Sequence, residues 1–294
     1  MTEWTGVRDK RVLITGATRG IGLAAAQALA RRGAQLAIVA RDDARGVEAA
    51  TSIKGEGGST VDVLLADLSS QASVRNLASE VLDRYPRIDV LINNAGATFT
   101  SRQLTEDGIE RTWALNHLAP FLLTTLLLDR LKASAPARII TTASDAHKGK
   151  LIPFDDLNAE RSWKGRGFTR YGETKLANIM FTRELARRLE GTGVTTYSFH
   201  PGLVATGFNR NNGALMTIAM TIIAPFSRSP RKAAQTLVWL ADSPDVTKQT
   251  GGYYEDRALA VSSRQAQDPA LAKKLWEISE EQVRPKAPAG MGVP

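Results

Sequence analysis

Tyr171 and Lys175 stand four positions apart in the segment Tyr-Gly-Glu-Thr-Lys. On a helix this spacing places both side chains on one face, one turn apart. A lysine cation beside a phenol favours the phenolate, so we predict that the pKa of Tyr171 lies below its usual value of about 10. A tyrosine tuned in this way can donate or accept a proton during a reaction. Ordinary surface helices also contain this spacing, so the interpretation requires a cofactor site elsewhere in the chain.

A glycine-rich turn between a strand and a helix is the candidate cofactor site. An apolar run at 12–15 precedes the turn, and helix-forming residues at 23–32 follow it and end at Gly33. Glycines let the backbone approach a pyrophosphate, and a helix N-terminus offers free N–H groups and a positive dipole end. The pattern predicts a dinucleotide site, although a glycine-rich connection without a ligand has the same composition. The candidate binding residues are Gly16, Thr18, Arg19, Gly20, Ile21 and Gly22.

The end of the second predicted strand, at 35–40, indicates which dinucleotide binds. An acidic residue there would accept hydrogen bonds from the ribose hydroxyls of NAD. This chain has Ala40 and then Arg41, whose guanidinium can bind a 2′-phosphate, and Arg19 can approach from the glycine turn. Asp42 is interpreted as the cap of the next helix. These residues favour NADP(H) over NAD(H).

The fold is predicted from an alternation of strand and helix patterns. Further apolar runs at 61–66 and 88–92 predict strands, with helical segments between them. This order predicts an α/β fold: a doubly wound parallel sheet of Rossmann type with helices on both faces, in a single domain spanning 1–284. Ligands of such sheets lie at the carboxyl ends of the strands. The residues expected to contact the cofactor there are Asp67, Leu68, Asn93, Ala95 and Gly96.

Three motifs together resemble those of the short-chain dehydrogenase/reductase family. They are T-G-x-x-x-G-I-G at 15–22, N-N-A-G at 93–96 and Y-x-x-x-K at 171–175. The resemblance extends over residues 10–260, and within the family the chain most resembles the retinol dehydrogenase group. The segments that carry the latter likeness are 115–118, 121–124, 146–147, 176–178 and 200–202. The resemblance implies hydride transfer between NADP(H) and the carbonyl or alcohol carbon of a small substrate, with no metal.

The resemblance also implies roles for individual residues. In this interpretation Tyr171 transfers the proton, Ser144 hydrogen-bonds the substrate oxygen, Lys175 tunes Tyr171 and binds the nicotinamide ribose, and Asn116 holds a water of the proton relay. The residues expected around the nicotinamide are Pro201, Gly202, Val204 and Thr206.

A long helix predicted from 106 to 131 carries Asn116. In the family, this helix and the one that carries the tyrosine often pair subunits. The resemblance therefore predicts a homo-oligomer.

Composition excludes several other classes of protein. The chain has 294 residues and no cysteine, which excludes disulfides and thiolate chemistry and makes a reducing cytoplasm the expected location. Its formal charge of +8 is spread along the sequence, whereas nucleic-acid binding usually clusters such charge, so no nucleic-acid partner is expected. No run of 18 apolar residues exists that could span a bilayer.

The segment at 203–230 contains an apolar run at 213–226. We interpret it as a lid that forms an apolar substrate pocket; a core helix and an interfacial membrane contact are the alternatives. The tail at 285–294 is rich in Pro, Ala and Gly, and we expect it to be disordered.

Three alternative functions share parts of this pattern. His147 near Ser144 would suit a hydrolase, but no G-x-S-x-G elbow surrounds the serine. A non-catalytic NADP-sensing protein would use the same scaffold, although such proteins commonly lose the tyrosine or the lysine. A protochlorophyllide-type pigment reductase uses a cysteine near its substrate, and this chain has none.

Overall fold

The computed structural model describes residues 3–57, 60–202 and 228–285, and in them an eight-stranded sheet forms the centre of the molecule. The strands are β1 (Arg11–Thr15), β2 (Gln35–Ala40), β3 (Val61–Leu65), β4 (Val90–Asn93), β5 (Ala137–Thr142), β6 (Val194–His200), β7 (Tyr253–Glu255) and β8 (Ala258–Leu259). Across the sheet their order is β3-β2-β1-β4-β5-β6-β7-β8, and all pairs are parallel except β7–β8. The predicted doubly wound parallel sheet is confirmed.

Helices cover both faces of this sheet. They are α1 (Gly20–Ala30), α2 (Asp43–Gly57), α3 (Gln71–Arg84), α4 (Arg111–Trp113), α5 (Ala119–Ala133), α6 (Phe168–Arg188), α7 (Pro230–Asp242), α8 (Arg264–Gln267) and α9 (Pro269–Gln282), with a π-helical turn (Ala114–Leu118) between α4 and α5. One apolar core joins a face of the sheet to α1, α2 and α7, and a second joins the other face to α3, α5, α6 and α9. Because both faces are buried, strands such as β1 are continuously apolar rather than alternating.

The functional edge of the sheet is set by the place where the strand order reverses. From β1 the chain proceeds outward to β2 and β3, and then crosses to β4 on the other side of β1. The loops after β1 and β4 therefore lead in opposite directions and leave a crevice at the carboxyl ends. The loops after β5 and β6 reach the same edge because these strands are parallel to β1 and β4.

The helix predicted from 106 to 131 starts later than expected and is interrupted. Gly108 has a φ of +76° within a turn, and the helix begins only at Arg111, where the Glu110 carboxylate accepts from the first backbone N–H groups. Pro120 has no N–H to donate, so the carbonyl of Asn116, four residues earlier, receives no ordinary helical hydrogen bond. The chain adopts the π-helical turn at this place, and such turns are frequent at functional sites.

The C-terminal helix α9 packs across α5 and α6. Neither α8 nor α9 is among the elements predicted from the sequence. Trp276 on α9 is 4% exposed, and its ring centroid lies 4.9 Å from that of Phe121 and 5.8 Å from that of Phe181. The guanidinium of Arg188 lies 4.2 Å from the centroid of the same ring. Helix α9 thus covers apolar side chains of both helices within one chain.

This packing bears on the predicted pairing of subunits. A dimer formed through the bare faces of α5 and α6 would first have to displace α9, because Phe121 and Phe181 already contact Trp276. A homo-oligomer therefore stays a prediction.

Some sequence predictions fall outside the described residues. They are the lid at 203–230, as far as residue 227, and the tail at 285–294 beyond residue 285. Among the helices of the described ranges, none combines the length and the apolar character needed to cross a bilayer.

We expect Trp276→Ala to lower the free energy of unfolding by about 3–5 kcal/mol, because it removes the aromatic ring that joins α9 to α5 and α6. Trp276→Phe keeps a ring in the same place and should cost less than the alanine variant. Urea denaturation followed by circular dichroism measures both values. Equal stability of the alanine variant and the wild type would contradict the role given to α9.

Candidate active site

In the glycine turn after β1, neighbouring backbone segments lie so close together that a side chain would not fit between them. A Cβ atom at Gly16 would lie 2.8 Å from the Cα of Ala95, and one at Gly22 would lie 2.2 Å from the Gly16 carbonyl oxygen. Gly16 also has a φ of +67°, which favours glycine. Helix α1 starts in this turn after Arg19, with no side-chain cap and no acidic residue in its first turn. Its positive end therefore faces the crevice and suits an anionic group.

The loop after β4 is fixed to this turn by hydrogen bonds. The Thr15 hydroxyl accepts from the backbone N–H of Asn94 at 3.0 Å and of Ala95 at 3.1 Å. The Asn94 amide donates to the carbonyls of Thr15 and Gly16, each at 3.1 Å, and its oxygen accepts from the Thr142 hydroxyl at 3.2 Å. Asn94 was not among the predicted site residues, although its place in the N-N-A-G motif was a signal for it.

A cleft of about 980 Å³ at the carboxyl edge of the sheet contains most of the predicted site. This volume lies at the upper end of the range of small-molecule sites, about 300–1,000 Å³. The predicted residues that line it are Gly16, Thr18, Arg19, Gly20, Ile21, Gly22, Arg41, Asp67, Leu68, Ala95, Gly96, Ser144, Tyr171, Lys175, Pro201 and Gly202. Val204 and Thr206 lie outside the described residues.

Two predicted residues have side chains directed elsewhere. Asn93, expected to contact the cofactor, is 4% exposed and donates to the Thr124 hydroxyl at 2.9 Å, in the core beneath the loop. The Asn116 side chain bonds both backbone groups of Ala97 at 2.8 Å and also donates to Thr174 at 3.1 Å. Its amide therefore has protein partners that hold the loop after β4 against the π-helical turn. The role of Asn116 in holding a relay water stays a prediction.

One end of the cleft is cationic. Arg41, Arg19 and Arg45 line it, and Arg45, four residues after Arg41, is an addition to the predicted set. Asp42 accepts from the Arg45 backbone N–H at 3.0 Å, which confirms its interpretation as the cap of α2. At the end of β3, burial acts to raise the pKa of Asp67, but hydrogen bonds from neighbouring Ser69 and the charges of two arginines hold that pKa below its usual value.

At the other end of the cleft, the side chains of Ser144 and Tyr171 are in contact. Ser144 follows β5, and its side chain hydrogen-bonds that of Tyr171. Burial raises the pKa of Tyr171 to about 12, and the hydrogen bond with Ser144 opposes this rise only in part. The phenol is therefore protonated at neutral pH.

The sequence-based prediction that Lys175 lowers the pKa of Tyr171 is wrong for the chain as it stands. The Lys175 Nζ donates to the Thr142 carbonyl at 2.9 Å and lies 5.3 Å from the centroid of the Tyr171 ring. Lys175 is 2% exposed, and burial lowers its own pKa to about 8. The loss of water around both groups outweighs the attraction between a cation and a phenolate.

The geometry of His147 opposes the hydrolase alternative. Its Nδ1 lies 2.7 Å from the backbone carbonyl of Ser144, and its Nε2 accepts from the backbone N–H of Ser263 at 3.0 Å. Burial also lowers the pKa of His147. Both ring nitrogens are engaged by the backbone, so this imidazole is not placed to take a proton from the Ser144 hydroxyl.

Asp145, His200 and Glu255 form a cluster beside Ser144 in the described part of the chain, with potential metal-ligand atoms within 4.8 Å of one another. The two oxygens of Asp145 already accept from Tyr253 at 2.8 Å and from Lys148 at 2.7 Å. The cluster is thus satisfied within the protein.

Comparisons with known proteins agree with this geometry. The sequence pattern of the family described as short chain dehydrogenase matches residues 10–216. A protein of Streptomyces sp. strain C5, provisionally named a daunorubicin C-13 ketoreductase, is 46% identical over 95% of this chain and 94% of its own length. Retinol dehydrogenase 14 of Mus musculus is 44% identical over 94% and 86%. The crystal structure of L-sorbose reductase from Gluconobacter frateurii with NADPH and L-sorbose is similar, with a TM-score of 0.68, 25% identity and coverage of 85% and 95%.

Thr15→Val should lower the free energy of unfolding by about 1–3 kcal/mol, because it leaves the backbone N–H groups of Asn94 and Ala95 without their acceptor. Thr15→Ser keeps the hydroxyl and removes one methyl group, at a cost of about 0.8 kcal/mol. Urea denaturation of both variants provides the comparison. If valine and serine cost the same, the hydroxyl does not hold the loop after β4.

Proposed function

The chain belongs to the short-chain dehydrogenase family and is an oxidoreductase similar to retinol dehydrogenases, and we propose that it transfers hydride between NADP(H) and the carbonyl or alcohol carbon of an apolar substrate. The observation that carries this proposal is the composition of one cleft. It brings Ser144, Tyr171 and Lys175 to one end and Arg19 and Arg41 to the other.

The residues of the cleft fit a dinucleotide phosphate. The uncapped start of α1 suits the pyrophosphate, and Arg41 and Arg19, joined by Arg45, suit a 2′-phosphate. Asp67 and the backbone at Pro201 would bound the cofactor elsewhere in the cleft. When bound, the nicotinamide supplies or accepts the hydride, and the protein supplies orientation and proton handling.

Tyr171, with Ser144 and Lys175 beside it, carries out the proton transfer. Tyr171 keeps its proton at neutral pH, because burial raises its pKa to about 12, and carbonyl reduction needs this protonated form. Ser144 donates a hydrogen bond to the substrate oxygen as negative charge develops there. Lys175, fixed by the Thr142 carbonyl, places a cation beside the phenol ring and favours proton release as the alkoxide forms.

Apolar side chains in the walls of the cleft support an apolar substrate. Ala97, Phe99, Leu115, Ala146 and Phe168 are among the residues that line it. Phe168 is 44% exposed, so an apolar substrate would cover a side chain that otherwise contacts water. A non-catalytic NADP sensor would share the cofactor end of the cleft but would not need the Ser144–Tyr171 pair. The cytoplasmic location stays a prediction from composition.

We expect Tyr171→Phe to lower kcat for NADPH-dependent carbonyl reduction at least about a hundredfold, because a positioned proton donor contributes roughly 10²–10⁴-fold. NADPH should still bind, because the ring keeps its packing. Absorbance at 340 nm follows turnover, and fluorescence of the bound cofactor gives its Kd. Full activity in the variant would remove Tyr171 as the proton donor.

Arg41→Ala tests the choice of cofactor. A charge-assisted hydrogen bond contributes about 1.5–3 kcal/mol, so the variant should bind NADPH roughly ten- to a hundredfold more weakly. NADH lacks the 2′-phosphate and acts as the internal control, with little change expected. The measurement is kcat/KM for both cofactors in both proteins. Equal use of NADH and NADPH by the wild type, or an equal loss with both in Arg41→Ala, would contradict a phosphate site at Arg41.

A further inference from the structure

The backbone carbonyl of Asn116 lacks the hydrogen-bond donor that a regular α-helix would supply. Its ordinary helical donor would be the N–H four residues later, and that residue is Pro120. Asn116 is 1% exposed, and a buried carbonyl without a partner is costly. The structure supplies a side-chain donor from α6: the Asn178 Nδ2 lies 3.0 Å from this oxygen.

The same amide nitrogen also reaches the end of β5. Asn178 is 2% exposed, and its Nδ2 lies 3.3 Å from the Thr142 carbonyl. A side-chain amide has two N–H groups, so one nitrogen can serve both carbonyls. Asn178 stands three residues after Lys175 and seven after Tyr171, which places all three on one face of α6.

The Thr142 carbonyl is the acceptor that holds Lys175. Its oxygen accepts from the Lys175 Nζ at 2.9 Å and from Asn178, so both of its lone pairs are engaged. Building on the proposed function, we infer that Asn178 is a positioning residue of the reaction: its amide joins the Asn116 carbonyl to the oxygen that holds Lys175, and so fixes the lysine relative to Tyr171. Asn178 itself lies behind the cleft and contacts the reaction only through these groups.

In this arrangement the positions of Tyr171 and Lys175 depend on the Asn178 amide as well as on Asn116. Without the amide, the Asn116 carbonyl loses this donor; the π-helical turn keeps the hydrogen bond from Asn116 to Thr174 on α6 but loses the one from Asn178. The Thr142 carbonyl would then bind Lys175 alone and draw it closer. The first change loosens the support under Tyr171, and the second moves the lysine away from its place beside the ring.

Three variants separate positioning from simple loss of stability. Asn178→Leu keeps the branching at Cγ and removes both donors, and Asn178→Ser keeps one. Thr182→Val is the matched control: it is fully buried one turn further along α6, and its hydroxyl donates only to the Asn178 backbone carbonyl at 2.8 Å. Each variant is measured for kcat with NADPH and an apolar aldehyde, for NADPH affinity by fluorescence, and for melting temperature.

We expect kcat to fall roughly a hundredfold in Asn178→Leu, because a misplacement of about 1 Å at a reacting group has this effect, and about tenfold in Asn178→Ser. NADPH affinity should change little in either variant. Thr182→Val should lower the melting temperature and leave kcat unchanged. A kcat in Asn178→Leu equal to that of Thr182→Val would overturn the inference, and if the leucine variant does not fold, the same comparison is made with serine.

A readout without turnover keeps this inference separate from the proposed function. With lysine labelled at ¹³Cε, NMR titration gives the midpoint of Lys175, assigned by its loss in Lys175→Met. The midpoint should rise in Asn178→Leu, because Thr142 then offers its lone pairs to the ammonium alone, and should rise less in Asn178→Ser, which keeps one donor; it should not move in Thr182→Val. An unmoved midpoint in the Asn178 variants overturns the inference. A wild type that binds NADPH but reduces no carbonyl refutes the proposed function, and the titration still decides the role of Asn178.

Discussion

A buried lysine at the centre of the site sets the main physical constraint on this molecule. Lys175 is 2% exposed, and a buried ammonium is stable only where protein groups replace its water. Its hydrogen bond goes to the carbonyl at the end of β5, which can accept there because the strand ends and its ladder stops. Burial still lowers the pKa of Lys175 to about 8. Sheet, α6 and the π-helical turn together hold that carbonyl in place.

Much of the fold was predictable from the sequence because it depends on local pattern. The apolar runs of β1 and β2 are strands because both of their faces are buried, and the glycine turn precedes α1 as expected. The carboxyl ends of parallel strands meet at one edge, so residues far apart in sequence, such as Arg41 and Ser144, were correctly expected to share a cleft. Asp42 was interpreted correctly as a cap because capping depends on neighbouring residues.

Features that depend on distant partners were not predicted. Helix α9 is positioned by the contacts of Trp276 with Phe121 and Phe181, which lie more than 90 residues earlier in the chain. The pKa of Tyr171 was expected to fall because its lysine neighbour is visible in the sequence, whereas burial, which raises it, is not. Asn93 was assigned to the cofactor from its motif, but its side chain completes the core at Thr124. Pro120, four residues after Asn116, was the one local signal for the π-helical turn.

The proposed mechanism requires that hydride pass between a nicotinamide and a carbonyl carbon in the cleft between Ser144 and the glycine turn. The most direct measurement uses NADPH carrying deuterium at C4, with each face of the ring labelled in turn, and a panel of apolar aldehydes and ketones. Mass spectrometry of the alcohol product should find one deuterium on the carbinol carbon from one labelled face and none from the other. Tight binding of NADPH with no labelled alcohol from any substrate would contradict the account and favour a sensing protein.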